Sequence, residues 1–358
     1  MATNWNTVRI SLSGALDTGT DGCDDSFLSL PGFIWWCAAS LQGDGGSPQD
    51  GGENPPGRHE DPESATLIRL RDVFLAGGLR QITRQTTPDS GWVQINLTPV
   101  EERRRDLYEG IREFGEYARS SGVAEELYFM HKPPGVRLRL RACSGREQDL
   151  AHLTRRQARS LSRAGVVSGY APGVYEAESC LFGGSASMRW VHELFSVDSR
   201  LWLAYHASPS LAASEPAWAL SLVMTSHLLD SLSITGWERL DVWERVRRAG
   251  RALRPAVARS GEIAEALRKI QSVWTDPARA LDSMSAASQS LLAEHQASVA
   301  GIGRGWRTHY FDSGEALIGP REAASLAIVF HWNRAGIAPM RQALITEALA
   351  DRYAWVPT

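Results

Sequence analysis

The side chains best suited to binding chemistry lie in residues 128–141, which read Y-F-M-H-K-P-P-G-V-R-L-R-L-R. From Val136 onward apolar residues alternate with arginines, the pattern of a β-strand with one buried face, and Pro-Pro-Gly predicts a turn before it. Arg137 and Arg139 would share the polar face, where guanidinium groups could bind a carboxylate, a carbonyl-rich peptide or another anion. The same alternation is equally typical of arginines exposed to solvent, so this stretch alone leaves both interpretations open.

A second set of polar side chains lies late in the chain, where His331 is followed by Asn333 and Arg334. In a helix these residues fall within one turn, which brings together an imidazole, an amide and a guanidinium group. An imidazole titrates near neutral pH and suits acid–base chemistry. A helix end capped by polar side chains would have the same sequence, so the trio alone does not decide between a functional and a structural role.

Two polar pairs in the middle of the chain are further candidates. Tyr175 and Glu178 belong to the sequence Y-E-A-E, while Asp198 and Ser199 lie at the end of a predicted helix with an apolar face. Hydroxyl and carboxyl groups can transfer protons when their surroundings shift their pKa values. Each pair alone is weak evidence, and it is their order along the chain that carries information.

The signatures of several common enzyme classes are missing. The sequence contains no Walker phosphate loop, no dinucleotide-binding glycine motif, no H-E-x-x-H and no G-x-S-x-G. The histidines show no paired spacing for a metal ion, and the four cysteines are scattered without C-x-x-C spacing. We therefore predict no metal, no redox site and no cofactor.

The composition is that of a soluble globular protein, with 43% hydrophobic and 22% charged residues. Lys and Arg number 38 and Asp and Glu number 41, which gives a net charge of -3, so no general positive field attracts nucleic acid. The sequence shows neither a signal peptide nor an apolar run of membrane-spanning length. We expect a cytoplasmic protein with no nucleic-acid or membrane partner.

Strand patterns occur mainly in the first half of the chain. Besides the hairpin at residues 128–141, residues 7–13 and 92–97 alternate as strands, and residues 166–178 are typical of a second extended hairpin. Residues 43–62 are mostly glycine, proline and acidic side chains, and they predict a flexible loop. Residues 1–90 therefore form an N-terminal region of strands and a helix, ahead of a main region over residues 91–358.

Helix patterns dominate the second half of the chain. Thr98 and Pro99 suit the N-cap and first position of an earlier helix, because a threonine hydroxyl can cap and proline needs no N–H donor there. The predicted helices further along are residues 147–164, 185–204, 213–232, 237–256, 261–273, 278–299 and 321–353. This distribution predicts an α+β fold.

Four segments, taken in order, resemble the C-terminal, elimination-type domain of lantibiotic dehydratases. They are Y-F-M-H-K-P-P-G-V-R-L-R-L, Y-E-A-E-S-C-L-F-G-G, M-R-W-V-H-E-L-F-S-V-D-S-R and H-W-N-R-A-G-I. That family typically shows an R-Y-x-D-x-x-x-H-L-R-L-R strand, a Y-E-x-E-x-x-R-Y-G-G turn, an F-x-x-D-S helix end and a late H-x-x-N-R-x-G motif. The resemblance covers residues 91–358 and implies the fold of that domain.

Two departures from the family pattern bear on the reaction. Leu181 stands where the elimination domains usually carry arginine before the aromatic-Gly-Gly, and the first aromatic-Arg strand has become F-M-H-K. Both changes argue against glutamate elimination. The chain is also too short to include the large glutamylation domain, and in outline it is similar to the stand-alone thiopeptide pyridine synthases.

The resemblance to pyridine synthases implies macrocyclisation of a dehydrated, azole-containing precursor peptide with a leader. One dehydroalanine, with the preceding carbonyl as its imidic acid tautomer, would act as the azadiene and a second as the dienophile in a formal 4+2 aza-cycloaddition. Loss of water and then of the leader peptide would leave a pyridine or dehydropiperidine ring. Such an enzyme holds distant parts of one peptide together and supplies acid–base groups.

The resemblance also implies roles for the candidate side chains. Proton handling is expected of Tyr175, Asp198, Ser199 and His331. Substrate binding is expected of Arg137, Arg139, Glu178, Asn333 and Arg334. We expect the leader peptide to dock on residues 1–90, and the sequence leaves a homodimer open.

Two other functions remain as alternatives. The first is glutamate elimination, which would give dehydroalanine in lanthipeptide-type biosynthesis. The second is a non-catalytic subunit that binds a precursor peptide and presents it to a partner enzyme, an interpretation that the arginine-lined strand and the lack of catalytic signatures would fit.

Overall fold

The structure is a computed structural model that describes residues 91–252 and 261–350, and the segments 9–11, 16–17, 27–29, 33 and 68–75. The chain divides into two compact units, residues 1–88 and 89–358. In the first unit β1 (Arg9–Ser11) pairs antiparallel with both β2 (Leu16–Asp17) and β3 (Phe27–Ser29). Residues 68–75 are helical, within the predicted helix of this region. The predicted loop at 43–62 lies outside the described residues.

A four-stranded antiparallel sheet organises the first part of the second unit, in the strand order β5-β6-β4-β7. Its strands are β4 (Trp92–Pro99), β5 (Ala124–Lys132), β6 (Gly135–Ala142) and β7 (Val167–Gly173). β5 and β6 form the predicted hairpin. The second predicted hairpin is wrong: β7 pairs with β4 instead, and residues 174–178 leave the sheet as irregular chain.

The predicted helix start at Thr98 and Pro99 is also wrong. β4 continues through both residues because β7 provides backbone partners for them, and Pro99 pairs with Val167. The first α-helix, α1, begins only at Arg104, after a short 3-10 turn. A tertiary strand partner here outweighs a local capping preference.

Helices make up most of the remaining chain, which confirms the predicted α+β fold with strands mainly in the first half. They are α1 (Arg104–Ser120), α2 (Glu147–Arg163), α3 (Ser185–Ala207), α4 (Pro209–Ser214), α5 (Ala217–Ser231), α6 (Trp237–Val246), α7 (Gly261–Thr275), α8 (Pro277–Asp282), α9 (Ala286–Trp306), α10 (Pro320–Ala335) and α11 (Pro339–Ala350). None of the helices in the described part of the chain is long and apolar enough to cross a membrane.

Two helices predicted as single are each broken in the structure. Residues 278–299 divide between α8 and α9, because the Ser285 hydroxyl accepts a hydrogen bond from the N–H of Ser288 at 3.3 Å and so caps a new helix. Residues 321–353 divide between α10 and α11 at Gly336, whose φ of 67° is left-handed and ends α10. Both breaks fall at residue types that favour helix ends.

Helix α3 positions most of the polar side chains discussed below. It packs against β5, which is the edge strand of the sheet, and against α1, α9 and α10. The Phe129 N–H, on this edge, donates a hydrogen bond to the Ser199 hydroxyl of α3 at 3.2 Å. The helix thus covers an edge whose backbone groups would otherwise lack partners.

Candidate functional site

Arg139 lies in a row of polar side chains that crosses the sheet. The strand register places Tyr128 beside Arg139 and Arg139 beside Gln94, so all three project from one face. Arg139 donates a hydrogen bond from Nε to Gln94 Oε1 at 2.8 Å and another from Nη1 to the Tyr128 hydroxyl at 3.0 Å. Opposite Gln94 is Gly173, where an added Cβ would lie 2.5 Å from the Gln94 amide nitrogen. The glycine therefore leaves room for the polar row.

The irregular chain after β7 covers this row. Arg139 Cζ lies 4.8 Å from the ring centroid of Tyr175, and its Nη1 lies 3.5 Å from Glu178 Oε1. Arg139 is only 4% exposed, whereas the Glu178 side chain keeps 20% of its surface in contact with solvent. The solvent-exposed interpretation is thereby excluded for Arg139. Arg137 is half-buried on the same face and makes no ion pair with the residues that the structure describes.

Tyr175 forms a close hydrogen bond with a residue that the sequence did not single out. Its hydroxyl lies 2.5 Å from Nε2 of His192 on α3. Burial, reinforced by the neighbouring Tyr128, raises the pKa of Tyr175 far above its ordinary value, and burial lowers the pKa of His192 to about 3. A neutral phenol therefore donates to a neutral imidazole at physiological pH. Tyr175 and His192 are both buried, and Glu178 is the partly exposed carboxylate beside them.

A second polar cluster lies inside the helical half and joins α3 to α10. His331 Nδ1 donates to Asp198 Oδ1 at 2.8 Å, and Arg334 Nε donates to Asp198 Oδ2 at 2.6 Å. All three side chains are buried. Burial by itself would raise the pKa of Asp198, but the charges of His331 and Arg334 and the hydrogen bonds to the carboxylate hold it well below its ordinary value. The cluster is therefore built around a charged carboxylate.

The hydrogen bonds continue from His331 to α5. Its Nε2 atom lies 2.9 Å from the Ser221 hydroxyl, which also accepts a hydrogen bond from Trp332 Nε1 at 3.2 Å. Both ring nitrogens of His331 therefore have a hydrogen-bond partner. These hydrogen bonds fix the orientation of the imidazole ring from both sides.

A cavity of about 20 Å³ adjoins this cluster and is large enough for about one water molecule. Asp198, His331 and Arg334 line it, as does His295 of α9. A peptide does not fit in such a space, so in this structure the cluster holds helices together. The proton-handling roles assigned to Asp198 and His331 from the sequence stay predictions.

Two other predicted site residues use their contacts elsewhere. The Ser199 hydroxyl is engaged by the backbone of β5, as described above. Asn333 contributes its backbone carbonyl, which accepts a hydrogen bond from His131 Nδ1 at 2.8 Å. The structure thus brings Arg139, Tyr175 and Glu178 together in one place, and the roles of Ser199 and Asn333 in binding or proton transfer stay predictions.

One aromatic ring contacts both polar clusters. Phe195 of α3 lies 5.4 Å from the Tyr128 ring, measured between centroids, and Arg334 Cζ lies 4.2 Å from the Phe195 centroid. Six of the candidate residues therefore fall into two groups near this ring. Arg139, Tyr175 and Glu178 form the sheet-face group, and Asp198, His331 and Arg334 form the interhelical cluster. Arg334 gains a favourable contact with the ring face.

Sequence reasoning missed several contributors to these groups. His192 could have been found, because it precedes Ser199 by seven residues and so lies on the same side of α3. Gln94 and Ser221 gave no local signal, since each contacts a residue distant in the sequence.

Comparisons with known proteins agree with this architecture. The family described as the C-terminal part of lantibiotic biosynthesis dehydratases matches residues 92–354. Among solved structures, the tRNA-dependent lantibiotic dehydratase MibB from Microbispora sp. 107891 is similar with a TM-score of 0.54 and 17% identity, over 73% of this chain and 28% of that one. The crystal structure of TsrL is similar with a TM-score of 0.46 and 13% identity, over 75% of this chain and 99% of that one. No curated protein sequence matches.

Proposed function

Because the chain belongs to the lantibiotic biosynthesis dehydratase C-terminal family, we propose that it acts on a ribosomally made precursor peptide and closes a six-membered nitrogen ring between two dehydroalanines. Family membership connects the chain with the biosynthesis of modified ribosomal peptides. Ring formation is a more specific proposal than this connection. Its substrate would be a dehydrated, azole-containing peptide that still carries its leader. MibB is a much longer protein, of which this chain spans only 28%.

The observation that carries the proposal is Leu181. It lies on the turn after Glu178, where its N–H donates a hydrogen bond to the Glu178 carbonyl at 3.0 Å, and its side chain is 51% exposed. The elimination domains usually carry an arginine at this position, and a guanidinium suits a departing glutamate carboxylate. An exposed leucine offers an apolar contact instead, which suits a neutral, azole-rich peptide better than a carboxylate.

The sheet-face group can supply the proton movements of the first step. Formation of the imidic acid tautomer moves a proton from an amide nitrogen to the amide oxygen. In our proposal the Tyr175 hydroxyl turns from His192 and gives its proton to that oxygen, while the partly exposed Glu178 carboxylate takes the amide N–H proton. The proton on Glu178 then passes to the Tyr175 phenolate, which restores both groups. Arg139 acts as a positioning residue, because it fixes Glu178 and Tyr128 from within the sheet.

The decisive experiment incubates the purified protein with a dehydrated, thiazole-bearing precursor and follows products by mass spectrometry. Ring formation predicts a released leader carboxamide and a macrocycle shortened by the leader and one water. The variant Tyr175→Phe tests the proposed donor, and Tyr170→Phe, an exposed tyrosine on β7, is the matched control. An unchanged precursor mass together with measurable leader affinity would rule out the synthase and favour the non-catalytic binding subunit.

Glutamate elimination remains the second candidate because the chain keeps the Arg139–Glu178 contact and the Asp198–His331–Arg334 cluster, whose motifs it shares with the elimination domains. A peptide with glutamylated serine separates the two reactions. Conversion of that peptide to dehydroalanine with free glutamate would assign elimination, and its recovery unchanged alongside ring closure of the first substrate would assign cyclisation.

A further inference from the structure

A pocket of about 320 Å³ opens between α1, α3 and α9. None of the sheet-face residues Arg139, Tyr175 and Glu178 lines it. Apolar side chains, among them Leu127, Val197 and Leu291, form about half of its lining, and the rest includes three arginines, His295 and the carboxylates Glu116 and Glu294. Apolar walls with a few polar groups, in a volume of roughly 300–1,000 Å³, are typical of small-ligand sites.

Arg200 contributes a cation to this pocket that has no ion-pair partner within 4 Å among the described residues, although Glu294 lines the same pocket. It is half-buried and makes no ion pair or hydrogen bond through its guanidinium with the residues described in the structure. Burial and the neighbouring Arg119 lower its pKa, an effect that Glu294 partly offsets. A half-buried guanidinium without a partner carries a desolvation cost that an anionic ligand would relieve.

Arg112, another arginine of the pocket, differs from Arg200 because it already has acidic partners. Arg112 donates hydrogen bonds to Glu109 at 2.6 Å and to Glu116 at 2.7 Å, so its charge is already satisfied within α1. Arg119, on the next turns of the same helix, is exposed and forms no ion pair with described residues. Two of the three arginines lining the pocket are thus available to a ligand.

The floor of the pocket contains an unsatisfied imidazole. His295 is 4% exposed, and neither ring nitrogen has a hydrogen-bond partner in the described part of the chain. Its Nε2 atom lies 3.6 Å from Asp198 Oδ1, which is too long for a hydrogen bond. Buried polar side chains almost always have a partner, so this ring is available to donate an N–H to a group that enters the pocket.

We propose that this pocket binds a carboxylate, with Arg200 as its charged partner, the His295 N–H as a second donor, and the aliphatic part of the ligand against the apolar walls. An acidic side chain of a peptide and a free dicarboxylate share this chemistry. The proposal does not depend on the ring-forming reaction, because it concerns binding at residues outside the sheet-face group.

The test measures binding of three probes to the full chain by calorimetry at low ionic strength. They are the N-acetyl α-methylamide of glutamate, the glutamine compound of the same shape, and glutarate. We expect the glutamate probe to bind about tenfold more tightly than the glutamine probe, since a charge-assisted hydrogen bond is lost in the amide. Tighter binding of the capped glutamate than of glutarate supports a peptide ligand, and the reverse order supports a free dicarboxylate.

Two variants of Arg200 test whether the preference for the glutamate probe over the glutamine probe arises in this pocket. Arg200→Gln should abolish the preference for glutamate over glutamine, and Arg200→Lys should keep part of it because the charge remains. The control Arg156→Gln removes an exposed arginine from α2 and should leave the preference unchanged. Equal affinities for the two capped probes in the wild-type protein, or a full preference in a folded Arg200→Gln variant, would overturn the proposal.

Discussion

Replacing Asp198 by asparagine removes one negative charge from the interhelical cluster and nearly preserves the shape of the side chain. The carboxylate is contacted by Arg334 at 2.6 Å and by His331 at 2.8 Å, and Arg334 is only 1% exposed. In the variant the guanidinium would stay buried without a counter-charge. Removal of one partner of a buried ion pair costs about 3–5 kcal/mol. We therefore expect the free energy of unfolding to fall by about that amount.

A surface carboxylate provides the matched comparison. Asp241 forms ion pairs with Arg245 at 3.0 Å and with Arg321 at 3.2 Å, and its side chain is 27% exposed. Solvent screens such pairs, which usually contribute about 0–1 kcal/mol. Asp241→Asn makes the same chemical change as Asp198→Asn, so the difference between the two variants isolates the effect of burial.

Urea unfolding followed by circular dichroism measures both variants, with equal slopes required before midpoints are compared. A third variant, Asp198→Leu combined with Arg334→Met, removes both charges and should unfold at higher urea than Asp198→Asn, because no charge is left buried alone. If Asp198→Asn proves as mild as Asp241→Asn, the carboxylate is not the centre of a buried charged cluster and the reasoning fails.

Acidification should destabilise the protein because of His192. Its pKa is about 3 in the folded protein and about 6.5 in the unfolded chain. Between pH 6.5 and pH 3 the unfolded state therefore binds a proton that the folded state does not. Its contribution to the free energy of unfolding falls by about 1.4 kcal/mol per pH unit as the pH drops from about 6.5 towards 3, and a thermal midpoint that stays constant between pH 7 and pH 5 would contradict this. Gly183→Ala should lower the free energy of unfolding by about 1–3 kcal/mol more than Gly184→Ala, because both residues have positive φ but only at Gly183 does the new Cβ clash, at 2.0 Å from the Tyr310 hydroxyl, whereas at Gly184 it would lie 3.9 Å from Leu317 in ordinary contact; equal losses in urea unfolding would refute this. In the precursor assay Tyr175→Phe should lower kcat by about 10²-fold or more while leader affinity is kept, and an unchanged kcat would remove Tyr175 from the mechanism.

The sheet shows which parts of a fold are visible in local sequence. The alternation around Arg139 predicted β6 correctly, because one face of the strand is apolar throughout. It could not predict that Arg139 is buried, since the cover comes from Tyr175 and Glu178, which lie more than thirty residues later and leave the sheet as irregular chain. The helix start expected at Thr98 failed for a similar reason, as a later strand pairs with this segment.

The candidate site shows the same limit more strongly. Asp198 and His331 are separated by 133 positions and come together only when α3 packs on α10. The order of family motifs pointed to both residues, but nothing in the sequence indicated that Ser221 would complete the chain or that His295 would line the same cavity. Local patterns predict which side chains are polar, and tertiary packing decides which of them meet.

Helix α3 carries a member of every group described above: His192 for the sheet-face group, Asp198 for the interhelical cluster, Ser199 for the edge of β5 and Arg200 for the pocket beside α9. A single residue inserted or deleted between the start of α3 and His192 would rotate all four of these residues by about 100° about the helix axis. All of these contacts would then be lost at once. Changes of length during evolution are therefore expected to be excluded from the first turns of α3, because one such change would displace residues of every group together.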